Sequence, residues 1–343
     1  MKPFFEKEKR GIIRCLVCSH YCLIADGRRG ICGVRLNRDG RLELMVWGKA
    51  AGMHSDPIEK KPLFHFLPGV KALSFGTLGC NFGCRFCQNW FQSQSPKKIE
   101  NKELFQLIDQ LSENYSPEEL VALAEKWHCP TIAYTYNEPT IFLEYALATM
   151  KLAKKKGLKN IWVSNGFISQ ETFKAIKNYL DGINIDLKSF DSDFYRRLCS
   201  ARLEPVLENI ARFWRNKIWV EVTTLIIPGE NDSPEELEKI AHFLFQISPD
   251  LPWHVTAFHP DYQLLDKPAT PRKKLIETWQ IGKKAGLNYV YLGNIIDQEH
   301  SSTCCPNCSR LLIRRDGYNL VKMIGLRDGE CQFCHQKIAG VWR

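Results

Sequence analysis

Short apolar segments alternate with amphipathic helical segments from residue 72 to residue 292 of this 343-residue chain. The predicted strands are residues 72–77, 131–135, 160–164, 182–187, 218–227, 253–258 and 289–292. Strands that alternate with helices of about 10–15 residues form βαβ units and a parallel sheet. Six or seven such units favour an α/β fold with an open, partial (β/α)6 barrel. In such a barrel the functional residues follow the carboxyl ends of the strands.

Capping patterns place the helices between these strands. The Ser-Pro-Glu-Glu segments that start at Ser116 and Ser233 each begin a helix. Gly157 and Gly286 end two others, over residues 140–156 and 272–285. A further helix is expected over residues 170–179. Residues 96–115 have helical periodicity inside the first crossover, and they predict an added surface helix.

Twelve of the 14 cysteines fall into three groups along the chain. The first fifteen residues lack the apolar core of a secretory signal, and no run of about 18 apolar residues exists. We therefore expect a cytoplasmic protein, in which clustered cysteines hold metals rather than disulfides. The grouping predicts a Cys-rich metal-binding segment over residues 1–67, the barrel over 68–300 and a zinc-ribbon-like module over 301–343.

The net charge is a weak indication of nucleic-acid binding. Lys and Arg number 47 against 38 Asp and Glu, which gives a formal charge of +9 when every cysteine is neutral. Two zinc sites, each with four thiolates, and one four-iron cluster on three thiolates would lower the net charge to about +4. A mildly basic chain makes nucleic acid an improbable partner.

The central cysteines form a C-x3-C-x2-C turn directly after the first predicted strand. Cys80, Cys84 and Cys87 suit the corners of a four-iron cluster, and three ligands leave one iron open for catalysis. Phe82 and Phe86 would limit water access to such a cluster. The alternative is a zinc knuckle whose fourth ligand lies elsewhere.

This turn resembles the motif of radical S-adenosylmethionine (radical SAM) enzymes. The wider run from Pro57 to Trp90 resembles the pyruvate formate-lyase-activating-enzyme-like subfamily. The C-terminal CPNC and CQFC pairs and the segment from Tyr291 to Asn294 resemble the AmmeMemoRadiSam-system enzymes of that subfamily. The resemblance implies a partial (β/α)6 barrel, a [4Fe–4S] cluster and S-adenosylmethionine (SAM) as cofactors. It also implies reductive cleavage of SAM to a 5′-deoxyadenosyl radical, which abstracts hydrogen from a substrate that the resemblance does not identify.

The resemblance also assigns roles to polar residues that follow the later strands. Glu138 lies in a segment similar to the family's Gly-Gly-Glu-Pro element and would contact the SAM amino group, although Tyr and Asn replace the two glycines. Ser164 and Asn165 would meet the ribose or carboxylate. Asp186 and Lys188 resemble an Asp-x-Lys pair in which the Lys holds the SAM carboxylate and the Asp orients it. The structural alternatives are an N-capping loop, a simple turn and a salt bridge, respectively.

Two further residues complete the predicted site. Phe86 is expected beside the cofactor. His254, or the His259 segment at the other end of the same strand, would serve as an acid/base or substrate contact, and we favour His254. A hydrogen-bonded structural histidine is the alternative.

The outer cysteine groups predict two closed metal sites. Cys305, Cys308, Cys331 and Cys334 have zinc-ribbon spacing and are expected to hold zinc, with an auxiliary cluster as the alternative. Cys304 is a possible replacement for Cys305. Zinc is also preferred over an auxiliary cluster for the N-terminal group, which consists of Cys15, Cys18, Cys22 and Cys32. Cys129 and Cys199 are expected to be core or surface thiols.

Three classes of function are open at this point. The first is a radical SAM oxidoreductase acting on an unidentified substrate, with flavodoxin or ferredoxin as reductant and Memo-like and AMMECR1-like proteins as possible partners. The second is an activase that acts on a glycyl-radical partner enzyme. The third is a non-catalytic nucleic-acid-binding or scaffold protein. Membrane partners are not expected.

Overall fold

The computed structural model describes residues 3–343, and its central feature is a nine-stranded sheet. Seven neighbouring strands of this sheet are parallel, from β7 at one side to β14 at the other edge. They are β7 (Lys71–Gly76), β9 (Thr131–Tyr134), β10 (Lys159–Ser164), β11 (Gly182–Asp186), β12 (Trp219–Ile226), β13 (Trp253–Ala257) and β14 (Val290–Gly293). Two antiparallel strands extend the sheet beyond β7: β6 (Lys49–Pro57) and β8 (Glu113–Asn114).

Helices follow the parallel strands in order, as the alternating pattern predicts. The main helices are α3 (Pro117–Lys126), α4 (Leu143–Lys155), α5 (Gln170–Ile176), α7 (Glu204–Arg215), α8 (Pro234–Ile247) and α9 (Arg272–Lys284). The shorter helices are α1 (Trp90–Gln94), α6 (Ser192–Phe194), which continues into a π-turn over Tyr195–Cys199, and α10 (Gln298–Ser301). Six strand–helix units and a seventh parallel strand confirm the partial (β/α)6 barrel.

The added helix in the first crossover is shorter than predicted. Residues 95–97 form a single 3-10 turn, and α2 extends only from Asn101 to Leu111. Glu100 caps α2 through a capping box with Glu103, so the helix starts at Asn101, five residues after Pro96. Its carboxyl end leads directly into β8, which pairs with β6.

Small strands precede and follow the barrel. The N-terminal segment contains β1 (Phe5–Lys7), β2 (Ile13–Cys15), β3 (Leu23–Ile24), β4 (Arg35–Arg38) and β5 (Arg41–Leu44). The C-terminal segment contains β15 (Thr303–Cys304), β16 (Leu311–Asp316), β17 (Asn319–Met323), β18 (Leu326–Arg327) and β19 (Glu330–Cys331). Because β6 belongs to the main sheet, the sheet begins before residue 68. The domain boundaries at residues 67 and 300 stay a prediction.

One large core unites the barrel with the N-terminal segment. Buried Ile13, Val17 and Val34 belong to the same apolar cluster as the strand and helix residues of the barrel. A second cluster joins Phe64 and Tyr291 to residues of the C-terminal segment, including Leu312. Each end of the chain is therefore packed against the barrel.

A buried carboxylate closes the floor of the barrel, where the strands have their amino ends. Glu221, in β12, accepts hydrogen bonds from the backbone N–H groups of Phe64 (2.9 Å) and His65 (2.7 Å). It also accepts from Trp219 Nε1 (3.0 Å) and contacts His254 Nε2 (2.6 Å). A buried charge is tolerated only with such a set of partners. The segment of residues 58–67 is held across the floor by this carboxylate.

The C-terminal segment is attached to the outer side of this floor. His65 Nδ1 lies 2.7 Å from the carbonyl oxygen of Ala339, and its Nε2 lies 2.6 Å from Tyr291 Oη. Arg315, which is fully buried, donates to the carbonyl of Phe64 at 2.6 Å. These contacts fix the C-terminal segment at the end of the barrel opposite the strand carboxyl ends.

Candidate functional site

The three central cysteines lie on the turn that follows β7, at the carboxyl edge of the sheet. Cys80 and Cys84 are buried and Cys87 is half-buried. The turn is hydrogen-bonded to the π-turn after α6, because Gly83 N–H donates to Cys199 O (2.8 Å) and Arg85 N–H donates to Leu198 O (2.9 Å). Backbone hydrogen bonds to the π-turn thus fix the position of the cysteine turn.

Burial keeps these thiols protonated in the absence of metal. It raises the pKa of Cys80 and of Cys87 above the usual thiol value. A hydrogen bond with Cys199, together with burial, raises the pKa of Cys84 well above that value. Metals bind thiolates, so a metal cluster has to displace these protons. The donor set, three clustered thiols of low water access, fits a four-iron cluster.

Two lysines provide positive charge beside the cysteine turn. Lys97 Nζ donates to Phe82 O at 2.6 Å and acts to lower the pKa values of Cys80 and Cys84. Burial by itself would lower the pKa of Lys188, but Asp186 and the sulfurs of Cys84 and Cys199 raise it well above its usual value. Lys188 therefore remains charged, and the two lysines would offset the negative charge of a thiolate-bound cluster.

Asp186, the last residue of β11, and Lys188 lie on the same side, as their i, i+2 spacing predicts, and form the salt bridge that was the structural alternative, so their role in binding SAM stays a prediction. Lys188 Nζ is 2.9 Å from Asp186 Oδ2 and lies 5.7 Å from the centre of the Phe86 ring. Phe86 is buried and contacts Phe194 of α6, with ring centroids 5.9 Å apart. The structure thus brings the Asp–Lys pair, Phe86 and Cys84 together at one place on the rim.

Glu138 has partners other than the expected ammonium group. Its carboxylate accepts hydrogen bonds from Thr140 N–H (3.1 Å), Ser164 Oγ (2.9 Å) and Asn165 N–H (2.7 Å). The side chain is 1% exposed, and burial raises its pKa. Glu138 therefore ties the end of β9 to the end of β10, in addition to capping the turn that starts at Pro139.

Asn165 continues this chain of contacts to the cysteine turn. Its Nδ2 donates to Asn81 Oδ1 at 2.7 Å, and Asn81 directly follows Cys80. The Asn81 amide is 1% exposed, yet its Nδ2 has no hydrogen-bond partner among the described residues. A buried donor without a partner is costly. Its position on the cysteine turn fits an acceptor on a bound ligand.

Sequence reasoning missed the role of Asn137. Its Nδ2 donates to Gly79 O (2.8 Å) and Thr77 Oγ1 (3.1 Å), and its Oδ1 accepts from Thr77 N–H (3.2 Å). Asn137 occupies a position where the family motif has glycine. The available signal was the replacement of glycine by Asn, because an Asn side chain can form contacts with the cysteine turn that glycine cannot. Lys97 and Asn81 carried no comparable signal.

His254 lies far along its strand from this rim. It is the second residue of β13 and contacts Glu221 at the floor, where it also lies 4.7 Å from Phe64 in an edge-to-face arrangement. Its place near the amino end of the predicted strand was the available signal, because functional residues of such a barrel follow the carboxyl ends of the strands. His259 follows the strand instead, and its Nε2 lies 2.8 Å from Gln88 Nε2, next to Cys87. We therefore replace His254 with His259 as the histidine of the rim.

The C-terminal cysteines converge on one point. The sulfurs of Cys305, Cys308, Cys331 and Cys334 all lie within 4.8 Å of one another. Cys305 Sγ is 3.6 Å from Cys334 Sγ, and Cys308 Sγ is 3.8 Å from Cys331 Sγ. Zn–S bonds of about 2.3 Å in a tetrahedron place sulfurs about 3.8 Å apart. The neighbouring Cys304 is exposed and outside this group.

The remaining cysteines are located in two different settings. The N-terminal group, Cys15, Cys18, Cys22 and Cys32, is buried except for half-buried Cys22. Cys129 is buried and contacts Ser55 at 3.4 Å. Cys199 is buried beside Cys84. No helix of the described residues has the length and apolar character to cross a membrane.

Comparisons with known proteins show which proteins this chain is similar to. The family model described as "Radical SAM superfamily" matches residues 75–244. An uncharacterised protein of Methanocaldococcus jannaschii is 41% identical over 98% of this chain and 97% of its own length. A second protein of that organism, provisionally named a glycyl-radical enzyme activating enzyme, is 28% identical over 64% of this chain and 77% of its own. The crystal structure of a radical SAM methyltransferase from Sphaerobacter thermophilus is similar with a TM-score of 0.49 and 15% identity, over 67% of this chain and 68% of that one.

Proposed function

Because this chain belongs to the radical SAM superfamily, we propose that it is an oxidoreductase that cleaves SAM at a [4Fe–4S] cluster held by Cys80, Cys84 and Cys87. When bound, such a cluster supplies the electron that breaks a C–S bond of SAM, which yields methionine and a 5′-deoxyadenosyl radical that takes hydrogen from a substrate. The observation that carries this proposal is the buried three-cysteine turn after β7 with Lys188 beside Cys84.

The rim residues would bind and orient SAM. Lys188, oriented by Asp186, would hold the SAM carboxylate through a charge-assisted hydrogen bond. Asn81 would donate to an acceptor of the ligand through its free Nδ2. Glu138 and Ser164 would position Asn165, and Phe86 would exclude water from the same space. Each group is located where a strand of the barrel ends.

Two metals have separate places in this proposal. Zinc would bind at Cys305, Cys308, Cys331 and Cys334, because the sulfur separations match a zinc tetrahedron. A zinc site at the floor would stabilise the C-terminal segment. The [4Fe–4S] cluster would be bound at the opposite end of the barrel.

The second candidate is an activase acting on a glycyl-radical enzyme. A relative with that provisional name and the isethionate sulfite-lyase activating enzyme of Oleidesulfovibrio alaskensis both match this chain in part. Flavodoxin or ferredoxin would supply electrons in the cytoplasm. The C-terminal CPNC and CQFC pairs also support a more specific proposal. In it, the chain is the radical SAM enzyme of an AmmeMemoRadiSam system, with Memo-like and AMMECR1-like proteins as partners.

Lys188→Ala tests the SAM site without touching a cluster ligand. We expect the reconstituted variant to keep its iron but bind SAM about tenfold or more weakly, since a charge-assisted hydrogen bond contributes about 1.5–3 kcal/mol. Lys174→Ala, which removes an exposed lysine of α5, is the matched control. SAM binding is measured by equilibrium dialysis. Equal affinity of wild type and Lys188→Ala would contradict the assigned role.

A further inference from the structure

The N-terminal cysteine group lies on the catalytic rim, not beside the floor. Cys18 forms a bridge with Ile168, in the loop that follows β10. Ser19 N–H donates to Phe167 O at 3.2 Å, and Ser169 Oγ donates to Val17 O at 3.0 Å. The loop that carries Cys15, Cys18 and Cys22 is therefore packed on the loop that carries Asn165. The two outer cysteine groups are at opposite ends of the barrel.

This group also contacts the catalytic cysteine turn directly. Cys80 N–H lies 3.3 Å from the carbonyl oxygen of Cys32, and His20 Nε2 lies 2.9 Å from the carbonyl oxygen of Asn81. Gly79 makes this approach possible, because its φ is +89° and a Cβ there would lie 2.6 Å from Cys32 O. One hydrogen bond thus separates the backbones of two metal-ligand residues in different groups.

The ligand spacing of the N-terminal group differs from that of the zinc-like group. Cys15, Cys18 and Cys22 lie within eight residues, and Cys32 follows at a distance. Four cysteines, three of them close in sequence, are a ligand set that iron–sulfur proteins use for two-iron and for four-iron clusters. Structural zinc sites commonly use two separate pairs, as the C-terminal group does. The three-residue part, C-x2-C-x3-C, has the same two gaps as the catalytic turn in reverse order.

We propose that Cys15, Cys18, Cys22 and Cys32 hold a second four-iron cluster, which passes electrons to the cluster at the catalytic turn. This inference rests on the proposed function, because it assumes that the catalytic turn holds a cluster. It replaces the zinc that the sequence alone favoured at these four cysteines.

The surroundings of the group suit the entry of electrons from outside. Cys22 is half-buried, and its neighbours Leu23 and Ile31 are 62% and 51% exposed. A protein donor can therefore approach this group closely. The buried Arg35 guanidinium, paired with Glu144 at 2.5 Å, places a positive charge near Cys15.

The electron count of the relay is simple. A low-potential one-electron donor, such as reduced flavodoxin, loses one electron to the N-terminal cluster. That electron moves to the catalytic cluster, which returns the N-terminal cluster to its oxidised state. SAM accepts the electron as its C–S bond breaks, and no proton moves in the transfer. Each SAM cleaved consumes one electron from the donor.

Metal analysis of the wild-type chain, reconstituted without oxygen, is the first part of the test. We expect about eight iron atoms and about one zinc per chain, because two four-iron clusters and one zinc site are present. Cys18→Ser/Cys22→Ser should keep about four iron atoms, and Cys84→Ser should also keep about four. About four iron and two zinc atoms in the wild type would overturn the proposal, whatever the variants do.

The second part measures electron transfer. Stopped-flow absorbance follows the reduction of the catalytic cluster by flavodoxin hydroquinone. We expect reduction to be about tenfold or more slower in Cys18→Ser/Cys22→Ser than in the wild type, and Cys129→Ser to match the wild type. Electron paramagnetic resonance confirms that the catalytic cluster is intact in both variants. Equal rates in the wild type and the double variant would overturn the relay.

A conservative variant separates a relay from a folding role. Cys22→Asp retains a ligand at the half-buried position, so we expect it to keep about eight iron atoms with a shifted spectrum of the N-terminal cluster. If a chain with zinc at the N-terminal group still cleaves SAM when dithionite supplies the electrons, the proposed function stands and only the relay is refuted. Two clusters without SAM cleavage would refute the proposed function instead.

Discussion

At the scale of single residues, Gly79 determines how closely the N-terminal segment approaches the catalytic turn. Ala at this position needs a positive φ and places its Cβ against Cys32 O and Val34. Gly157 has a similar φ of +76° but open space around its missing Cβ, so Gly157→Ala measures the backbone effect alone. We expect Gly157→Ala to cost about 1 kcal/mol of unfolding free energy, and Gly79→Ala about 1–3 kcal/mol more. Urea unfolding of both variants checks this, and equal losses would show that the Cys32 contact is not tight.

His65 makes the stability of the floor depend on pH. Burial lowers the pKa of His65 from 6.5 to about 4 in the folded chain. The unfolded chain then binds a proton between pH 6.5 and 4 that the folded chain does not, so stability falls as the pH is lowered through this range. The shift corresponds to about 3 kcal/mol at most.

The measurement is urea unfolding at pH 7 and pH 4.5 for the wild type and His65→Gln. We expect the variant to lose less stability on acidification than the wild type, although it is less stable at pH 7 because hydrogen bonds to Ala339 and Tyr291 are lost. His242→Gln, which changes an exposed histidine of α8, should behave as the wild type. A slope unchanged by His65→Gln would contradict a buried neutral histidine.

At the scale of elements, the sequence predicted the barrel strands to within about two residues at each end. Residues 182–187 were expected and Gly182–Asp186 is observed, because apolar runs bounded by polar or glycine residues define buried strands directly. The floor was not predictable in the same way. Residues 58–67 have no helical or strand period, and Glu221 gave no sign that its carboxylate contacts the distant residues Phe64, His65 and His254.

Some side-chain positions were likewise predictable from the sequence, and others were not. The Asp186–Lys188 contact follows from alternation along a strand, and it was predictable. The location of the N-terminal cysteines at the rim depends on how distant segments pack, which local sequence does not encode. The amino-end position of His254 on its predicted strand, in contrast, already indicated the floor. The packing of separate segments also determines the partners of Glu138, which are Ser164 at the end of β10 and Asn165 directly after it.

The C-terminal strands provide a test at this scale. With zinc bound as proposed, Cys308→Ser should lose the metal and lower the melting temperature, because a small module of this kind depends on a structural metal for stability. Cys304→Ser, at the exposed neighbouring cysteine, should keep about one zinc per chain. Zinc analysis and thermal unfolding check both. Because the module is at the floor, SAM cleavage per folded chain should be unchanged in Cys308→Ser, and its loss would contradict the separation of the two ends.

At the scale of the whole molecule, the two ends of the chain serve opposite ends of one barrel. The N-terminal cysteine segment contacts the rim through Cys80 and Asn81, and the C-terminal segment contacts the floor through His65. The barrel between them presents Cys84, Phe86 and Lys188 to the same space. This arrangement would let one chain combine the proposed catalytic centre with separate metal sites.

The most direct measurement of the central claim is 5′-deoxyadenosine formation from SAM. The protein is reconstituted with iron and sulfide without oxygen, supplied with SAM and dithionite, and compared with Cys84→Ala and with Cys129→Ala, which removes a buried cysteine outside all three groups. The account predicts 5′-deoxyadenosine from the wild type and from Cys129→Ala, and none from Cys84→Ala. Absence of the product from a wild-type chain with a full, reducible catalytic cluster and bound SAM would contradict it.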